Sequence, residues 1–210
     1  MSKEKNVLVA GANGTTGRII IDLLKKSDKY QPIAMVRKQE QKEHFEKENV
    51  TAVLADLEED LSNAFKNVDK VIFAAGSGGK NVEGVDQEGA KKFTDAAKNA
   101  AVKKFVMLSS MGVDNPSIGG ELEDYLKAKG NADDYLKNSG LAYTIVRPGA
   151  LTDEEGSGKI QLKEKLEKQE SISRANVAHT LIEVLDDDIK QNQVFEILDG
   201  ETPIEKAVRS

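Results

Sequence analysis

The 210 residues contain no cysteine and no tryptophan. Without a thiol there is no disulfide, no zinc-thiolate centre and no cysteine nucleophile, and a cytoplasmic setting is expected. Long hydrophobic runs are missing as well. No stretch approaches the roughly 20 apolar residues that cross a bilayer, and Met1-Ser2-Lys3-Glu4-Lys5 leads into an apolar strand with no apolar leader, so no membrane partner is expected. Positive charge is not in excess: 30 Lys and Arg against 36 Asp and Glu give a net charge of -6 with the signs interspersed. That leaves no broad basic face for nucleic acid. The two histidines, His44 and His179, have no second ligand at metal spacing, and no metal is expected. Nothing in the sequence fixes the oligomeric state.

What is present is a strand, a glycine turn and a helix. The apolar residues 6–10 run into Gly11, Ala12, Asn13, Gly14, Thr15, Thr16, Gly17 and Arg18, followed by three isoleucines. A buried parallel strand that ends this way directs the free N-H groups of the helix start at an anion, most simply a dinucleotide pyrophosphate. Gly11 suits a tight turn, Gly14 a close approach of phosphate, and Gly17 a close approach of helix to strand. The spacing is Gly-x-x-Gly-x-x-Gly, not the commoner Gly-x-Gly-x-x-Gly, and plain α/β architecture offers a competing explanation. A nucleotide-hydrolase phosphate loop is not available, because no Gly-x-x-x-x-Gly-Lys stretch followed by Ser or Thr occurs.

The rest of the chain alternates between strand and helix patterns. Strands are expected at residues 32–36, 50–55, 69–75, 104–108, 141–147 and 193–198. Helices are expected at about 15–27, 39–47, 61–66, 86–100, 121–137 and 174–185, and residues 151–168 have no assignable pattern. The expected fold class is α/β: a three-layer αβα Rossmann fold, doubly wound around a parallel sheet, in a single domain. Residues 150–190 are expected to add a small substrate-side segment. Ligands of such sheets sit beyond the carboxyl ends of the strands, which turns attention to Gly11, Arg37, Asp56, Gly76, Ser110 and Pro148.

Two groups of residues there carry chemistry. The second strand ends in Arg37-Lys38 where an NAD site usually has an acid, so NADP(H) is expected in preference to NAD(H), with Arg18 as a second possible cation. A solvated basic strand end reads the same way. Asp56 can accept from an adenine amino group or cap its own turn. Tyr125 and Lys129 lie one helical turn apart, and a neighbouring ammonium lowers a phenol's pKa, which suits proton exchange alongside hydride transfer. Ser110, at a strand end, can hydrogen-bond the same substrate oxygen.

Together Gly11 to Arg18, Asp56-Leu57, Ser109-Ser110, Tyr125 to Lys129 and Arg147-Pro148-Gly149 resemble an atypical short-chain dehydrogenase/reductase of the NAD(P)H-binding, NmrA-like group. Ile172-Ser173-Arg174-Ala175 is similar to small bacterial members of that group. The resemblance implies NADP(H) held at its pyrophosphate by Gly11, Asn13, Gly14, Thr15 and Thr16, with Gly17 in the same cofactor-binding set, and at its 2′-phosphate by Arg37. It places Asp56 and Leu57 near adenine, and Ala74, Ala75 and Gly76 along the ribose. Ser109 and Lys129 join that set, and Pro148 stands beside the nicotinamide. Ser110, Tyr125, Lys129 and Asp86 are the implied catalytic residues, Asp86 standing where related enzymes carry Asn. The implied activity is an NADP(H)-dependent oxidoreductase acting on a small carbonyl, quinone, flavin or sugar-like molecule. An NADP(H) sensor and a sugar epimerase or dehydratase are the alternatives.

Overall fold

The computed structural model describes residues 4–167 and 170–210. Strand β1 (Lys5–Ala10) alternates its side chains between two cores, Val7 and Val9 to one face and Leu8 and Ala10 to the other. The two-residue period of a strand forces this division, and an apolar run on both faces means the strand is covered twice. The same division continues through β2 (Tyr30–Val36), β4 (Lys70–Phe73), β5 (Lys104–Leu108) and β6 (Tyr143–Pro148).

One face carries α1 (Thr15–Leu24), α2 (Gln39–Lys47), α5 (Arg174–Glu183) and the C-terminal α6 (Ile204–Arg209). The other carries α3 (Ala90–Asn99) and α4 (Glu123–Lys137). Phe93 of α3 concentrates the aromatic packing there, with ring centroids 4.9, 5.3 and 5.7 Å from Phe65, Phe73 and Phe105.

The sheet has nine strands. Besides those named it contains β3 (Thr51–Leu54), β8 (Lys159–Lys163), β10 (Gln193–Asp199) and β11 (Thr202–Pro203), in the order β11-β8-β10-β6-β5-β4-β1-β2-β3. From β10 to β3 every pairing is parallel, whereas β8 runs antiparallel to both β10 and β11. β1 lies between β2 and β4, so strand order reverses beside it and a crevice opens at the strand carboxyl ends. No helix among the described residues is long and apolar enough to cross a membrane.

Several sequence expectations are corrected. Residues 62–67 form turns where a helix is expected at 61–66, because Asp60 bonds back to Ser62 and Leu61, Ala64 and Phe65 are buried without helical periodicity. The helix expected from residue 86 starts earlier, in a wide π-helical stretch Val82–Gly89 capped by Asn81, whose Oδ1 accepts from the Gly84 amide at 3.1 Å. Residues 151–168 contain β8 and most of β7 (Ala150–Thr152), while Lys168 lies outside the described residues. β7 pairs in parallel with β9 (Ser171–Ser173) as a separate two-stranded sheet. Their short strands gain order only from distant partners, which no local pattern reveals.

At the amino ends of β4 and β5 the chain buries two lysines, Lys70 and Lys104, paired in register. Lys104 Nζ donates to the carbonyls of Asp186 and Ile189, both at 2.6 Å, and Lys70 Nζ to the Leu185 carbonyl and, at 2.5 Å, to Asp187 Oδ1. The acidic run at 186–188 thus lies against two buried lysines, with Asp187 paired to Lys70. The two ammonium groups bond backbone carbonyls of the turn that follows α5.

Candidate dinucleotide and substrate cleft

The turn after β1 is shaped by its glycines. Gly11 has φ +81°, and a Cβ there would stand 2.6 Å from the Ala74 carbonyl oxygen. A Cβ on Gly17 would overlap the Gly11 carbonyl, whereas one on Gly14 would meet only that oxygen, at 3.3 Å. Two glycines thus serve the packing of strand against helix, and the third leaves the backbone open on the cleft side. Gly14 caps α1 with no side-chain bond, and the first turn of α1 holds no acid. The first amide hydrogen-bonded within the helix is that of Arg18, 2.9 Å from the Gly14 carbonyl. The N-H groups of Thr15, Thr16 and Gly17 precede it and stand ready for an anion. Arg18 itself donates to the Asn13 backbone oxygen at 3.2 Å and to Asn13 Oδ1 at 2.6 Å, which steadies the turn.

From this turn a groove runs both ways. The narrower arm, about 410 Å³, is lined by Gly11, Asn13, Gly14, Arg37, Asp56 and Leu57, with Ala74, Ala75 and Gly76 as its floor. Arg37 is exposed at the end of β2, and among the described residues no acid pairs with its guanidinium. Asp56 lines the arm while its Oδ1 accepts from the Glu58 amide at 3.0 Å, so lining and turn-capping occur together. Lys80 and Ser77, on the glycine loop after β4, also line it.

The wider arm, about 780 Å³, shares Gly14 and the Ala74 to Gly76 floor, then takes in Thr15, Thr16, Gly17, Asp86, Ser109, Tyr125 and Lys129. Tyr125 and Lys129 come from one face of α4. Lys129 is fully enclosed and donates to the Leu108 carbonyl at 2.7 Å; burial lowers its pKa, against the pull of Asp133 and Asp86. Tyr125 is pushed up to about 12, first by burial and then by the carboxylates of Asp86 and Asp133. The ammonium does not lower this phenol as its helical spacing predicts: burial and the two acids dominate instead.

Asp86 is buried, and its Oδ2 accepts from the Ser77 amide at 3.0 Å and from Ser77 Oγ at 2.6 Å. Its Oδ1 has no partner among the described residues. A buried carboxylate oxygen left unpaired on a cleft wall fits a ligand donor. Ser109 Oγ donates to the buried Asp133 at 2.9 Å, and Arg147 Nε donates to the same Oδ2 at 3.0 Å. With its proton committed, Ser109 offers the cleft lone pairs.

Two anticipated residues stand outside both arms. Ser110 Oγ donates to the Met111 carbonyl at 3.1 Å, and the Pro148 carbonyl accepts from the Met111 amide at 2.9 Å; neither residue lines the cleft. Conversely, Leu122, Leu151 and Arg174 line the wider arm without having been singled out as site residues, although Arg174 lies in the Ile-Ser-Arg-Ala string. Pairing of β7 with β9 brings Leu151 and Arg174 there. Among the described residues no cluster of three metal-ligating side chains occurs.

A parallel sheet with reversed strand order, a glycine turn with unused amides and a groove along the strand ends define a dinucleotide-binding Rossmann protein. The chain belongs to the NAD(P)H-binding family, whose model matches residues 11–188. It is 40% identical to the uncharacterized sugar epimerase YhfK of Bacillus subtilis, over 97% of this chain and 98% of that one. Among solved structures, a Bacillus halodurans protein assigned as an NAD-dependent epimerase/dehydratase is 41% identical, with a TM-score of 0.93 over 98% of this chain and 99% of its own. The oxidoreductase ylbE of Lactococcus lactis is 34% identical, with a TM-score of 0.87 over 97% and 95%.

Proposed function

We propose that this protein is an NADP(H)-dependent reductase of small carbonyl, quinone, flavin or sugar-like substrates. The observation that carries the reading is the meeting, in one continuous groove, of the glycine turn with Tyr125 and Lys129 from α4. A nicotinamide nucleotide held here would supply the hydride chemistry. Thr15, Thr16 and Gly17 hold the pyrophosphate through backbone N-H groups, and Arg37, free of acidic partners among the described residues, holds a 2′-phosphate. Asp86 Oδ1 and Ser109 accept from ligand hydroxyl or amide groups. Residues 150–190 contribute Leu151 and Arg174 to the substrate side.

Tyr125 is the proton donor in this reading. A phenol held at about 12 stays protonated across physiological pH, so it donates a proton to the oxygen that gains negative charge during reduction. The sensor alternative finds support in Lys129, whose ammonium is bonded to the Leu108 carbonyl. The test is Tyr125→Phe assayed with NADPH against a panel of quinones, flavins and aldehydes. Nucleotide affinity is expected to persist while turnover falls at least about 100-fold, a typical loss for a general acid. Unchanged turnover overturns the role of Tyr125, and binding with no turnover of any panel member by the unaltered protein favours the sensor.

A further inference from the structure

Arg174 is the first residue of α5 and lines the wider arm of the cleft together with Tyr125 and Lys129. Its position is built rather than incidental. Ser173 ends β9 and caps α5 by accepting from the Asn176 amide at 3.1 Å, and the β7–β9 pairing sets Thr152 opposite Ser173. These contacts fix where the Arg174 backbone leaves the small sheet.

The surroundings of Arg174 favour one kind of ligand. Val82, Leu108, Leu122 and Leu151 give the arm apolar wall, which suits a flat apolar body. Covering a guanidinium with such a body is unfavourable unless an anion comes with it. The only acid bonded to Arg174 among the described residues is Asp153, with Nη1 and Oδ1 2.8 Å apart. Asp153 is a surface residue whose side chain is 76% exposed, whereas that of Arg174 is 25% exposed. An exposed ion pair of this kind is weak and readily exchanged. The other acids lining the arm are Asp86, which is bonded to Ser77, Glu121, just before the start of α4, and Asp124, at its start; none of them is bonded to Arg174 among the described residues.

We infer that Arg174 is a specificity residue that captures a carboxylate on the substrate, exchanging its Asp153 partner for the ligand's anionic group. The inference rests on the proposed reductase reading for the identity of the cleft and names the class of molecule that fills it: a planar, largely apolar compound with a terminal carboxylate. A guanidinium fork meets a carboxylate with two parallel N-H bonds, which an amide of the same shape does not match.

The experiment uses the full chain saturated with NADP+ and titrates 2-naphthoate and its uncharged counterpart 2-naphthamide by ligand-observed NMR. Naphthoate is expected to bind at least about 10-fold more tightly than naphthamide, and Arg174→Gln to remove that preference. Asp153→Asn is expected to tighten naphthoate about 2- to 3-fold, because it deletes the competing acid; a purely structural ion pair would give no gain. Equal binding of the two probes, binding of neither, or a preference that survives Arg174→Gln overturns the inference. NADPH consumption with the quinone and flavin panel is read separately on the same preparations. Naphthoate selectivity without consumption retains the anion site and removes the reductase reading, while consumption without selectivity does the reverse.

Discussion

Lys129 Nζ lies 2.7 Å from the carbonyl oxygen of Leu108, and that bond orients the buried ammonium beneath the wider cleft. Helix α4 is thereby tied to the carboxyl end of β5, and Lys129 delivers positive charge next to Asp86 and Asp133 without a direct bond to either. Lys129→Met is expected to leave the Leu108 carbonyl unpaired and to weaken NADPH binding at least about 10-fold, equivalent to about 1.4 kcal/mol. Isothermal titration with NADPH checks this.

Tyr125 predicts a pH dependence. Its pKa in the folded state, about 12, exceeds the ordinary 10.0, so between those values the unfolded chain has released a proton that the native protein retains. The stability it contributes is fully present below pH 10 and is lost as pH rises toward 12. Urea unfolding at pH 9 and pH 11 is expected to show falling stability, with a smaller fall in Tyr125→Phe. Absorbance of phenolate at alkaline pH should show Tyr125 ionising late, together with Tyr30, whose pKa burial and its bond to Asp186 also raise.

Arg37→Ala separates the two nucleotides. On the proposed reading the cation meets a phosphate that NADPH has and NADH lacks, so NADPH affinity is expected to fall about 10- to 100-fold with little change for NADH. Equal losses in paired titrations would show that Arg37 does not read the 2′-phosphate.

The glycine turn gives a contrast between packing and binding. Gly17→Ala forces a Cβ against Gly11 and Ala12 and is expected to cost about 1–3 kcal/mol in denaturant unfolding. Gly14→Ala meets only the Gly11 carbonyl at 3.3 Å, so the fold is expected to survive while nucleotide binding weakens through the methyl on the cleft side.

Asp133→Ala removes the shared acceptor of Ser109 and Arg147. Arg147 keeps Asp114, whose Oδ1 is 2.8 Å from its Nη1, but loses its buried partner. A loss of about 1–3 kcal/mol is expected from chemical denaturation, because the buried guanidinium and the Ser109 hydroxyl each lose a hydrogen-bond partner while the Asp114 pair remains.

Much of this was legible in the chain because strand periodicity and glycine placement are local properties. Val7 to Ala10 could only be a strand covered on both faces, and the turn that follows needed Gly11 and Gly17 for steric reasons that appear directly in their contacts. Gly11, Arg37, Asp56 and Gly76 reach the cleft as the rule that ligands meet parallel sheets at the strand carboxyl ends predicts, whereas Ser110 and Pro148, chosen by the same rule, do not line it. Tyr125 and Lys129 follow from helical spacing and Leu57 from the family resemblance. Adjacent Ser109 and Ser110 were harder to separate. Strand alternation sends their side chains in different directions, and only the packing of α4, with Asp133 beneath Ser109, determines which hydroxyl meets the cleft.

By itself the sequence determined the strand-turn-helix opening, the alternation that makes a doubly covered parallel sheet, and the basic end of the second strand. Tertiary structure alone decided the ionisation of Tyr125, the commitment of Ser109 to Asp133, and the arrival of Arg174 at the cleft through the β7–β9 pair. The division has a physical cause. Periodicity and steric demand are encoded over a few neighbouring residues, whereas desolvation and charge proximity depend on groups far apart in the chain that meet only after the sheet has formed.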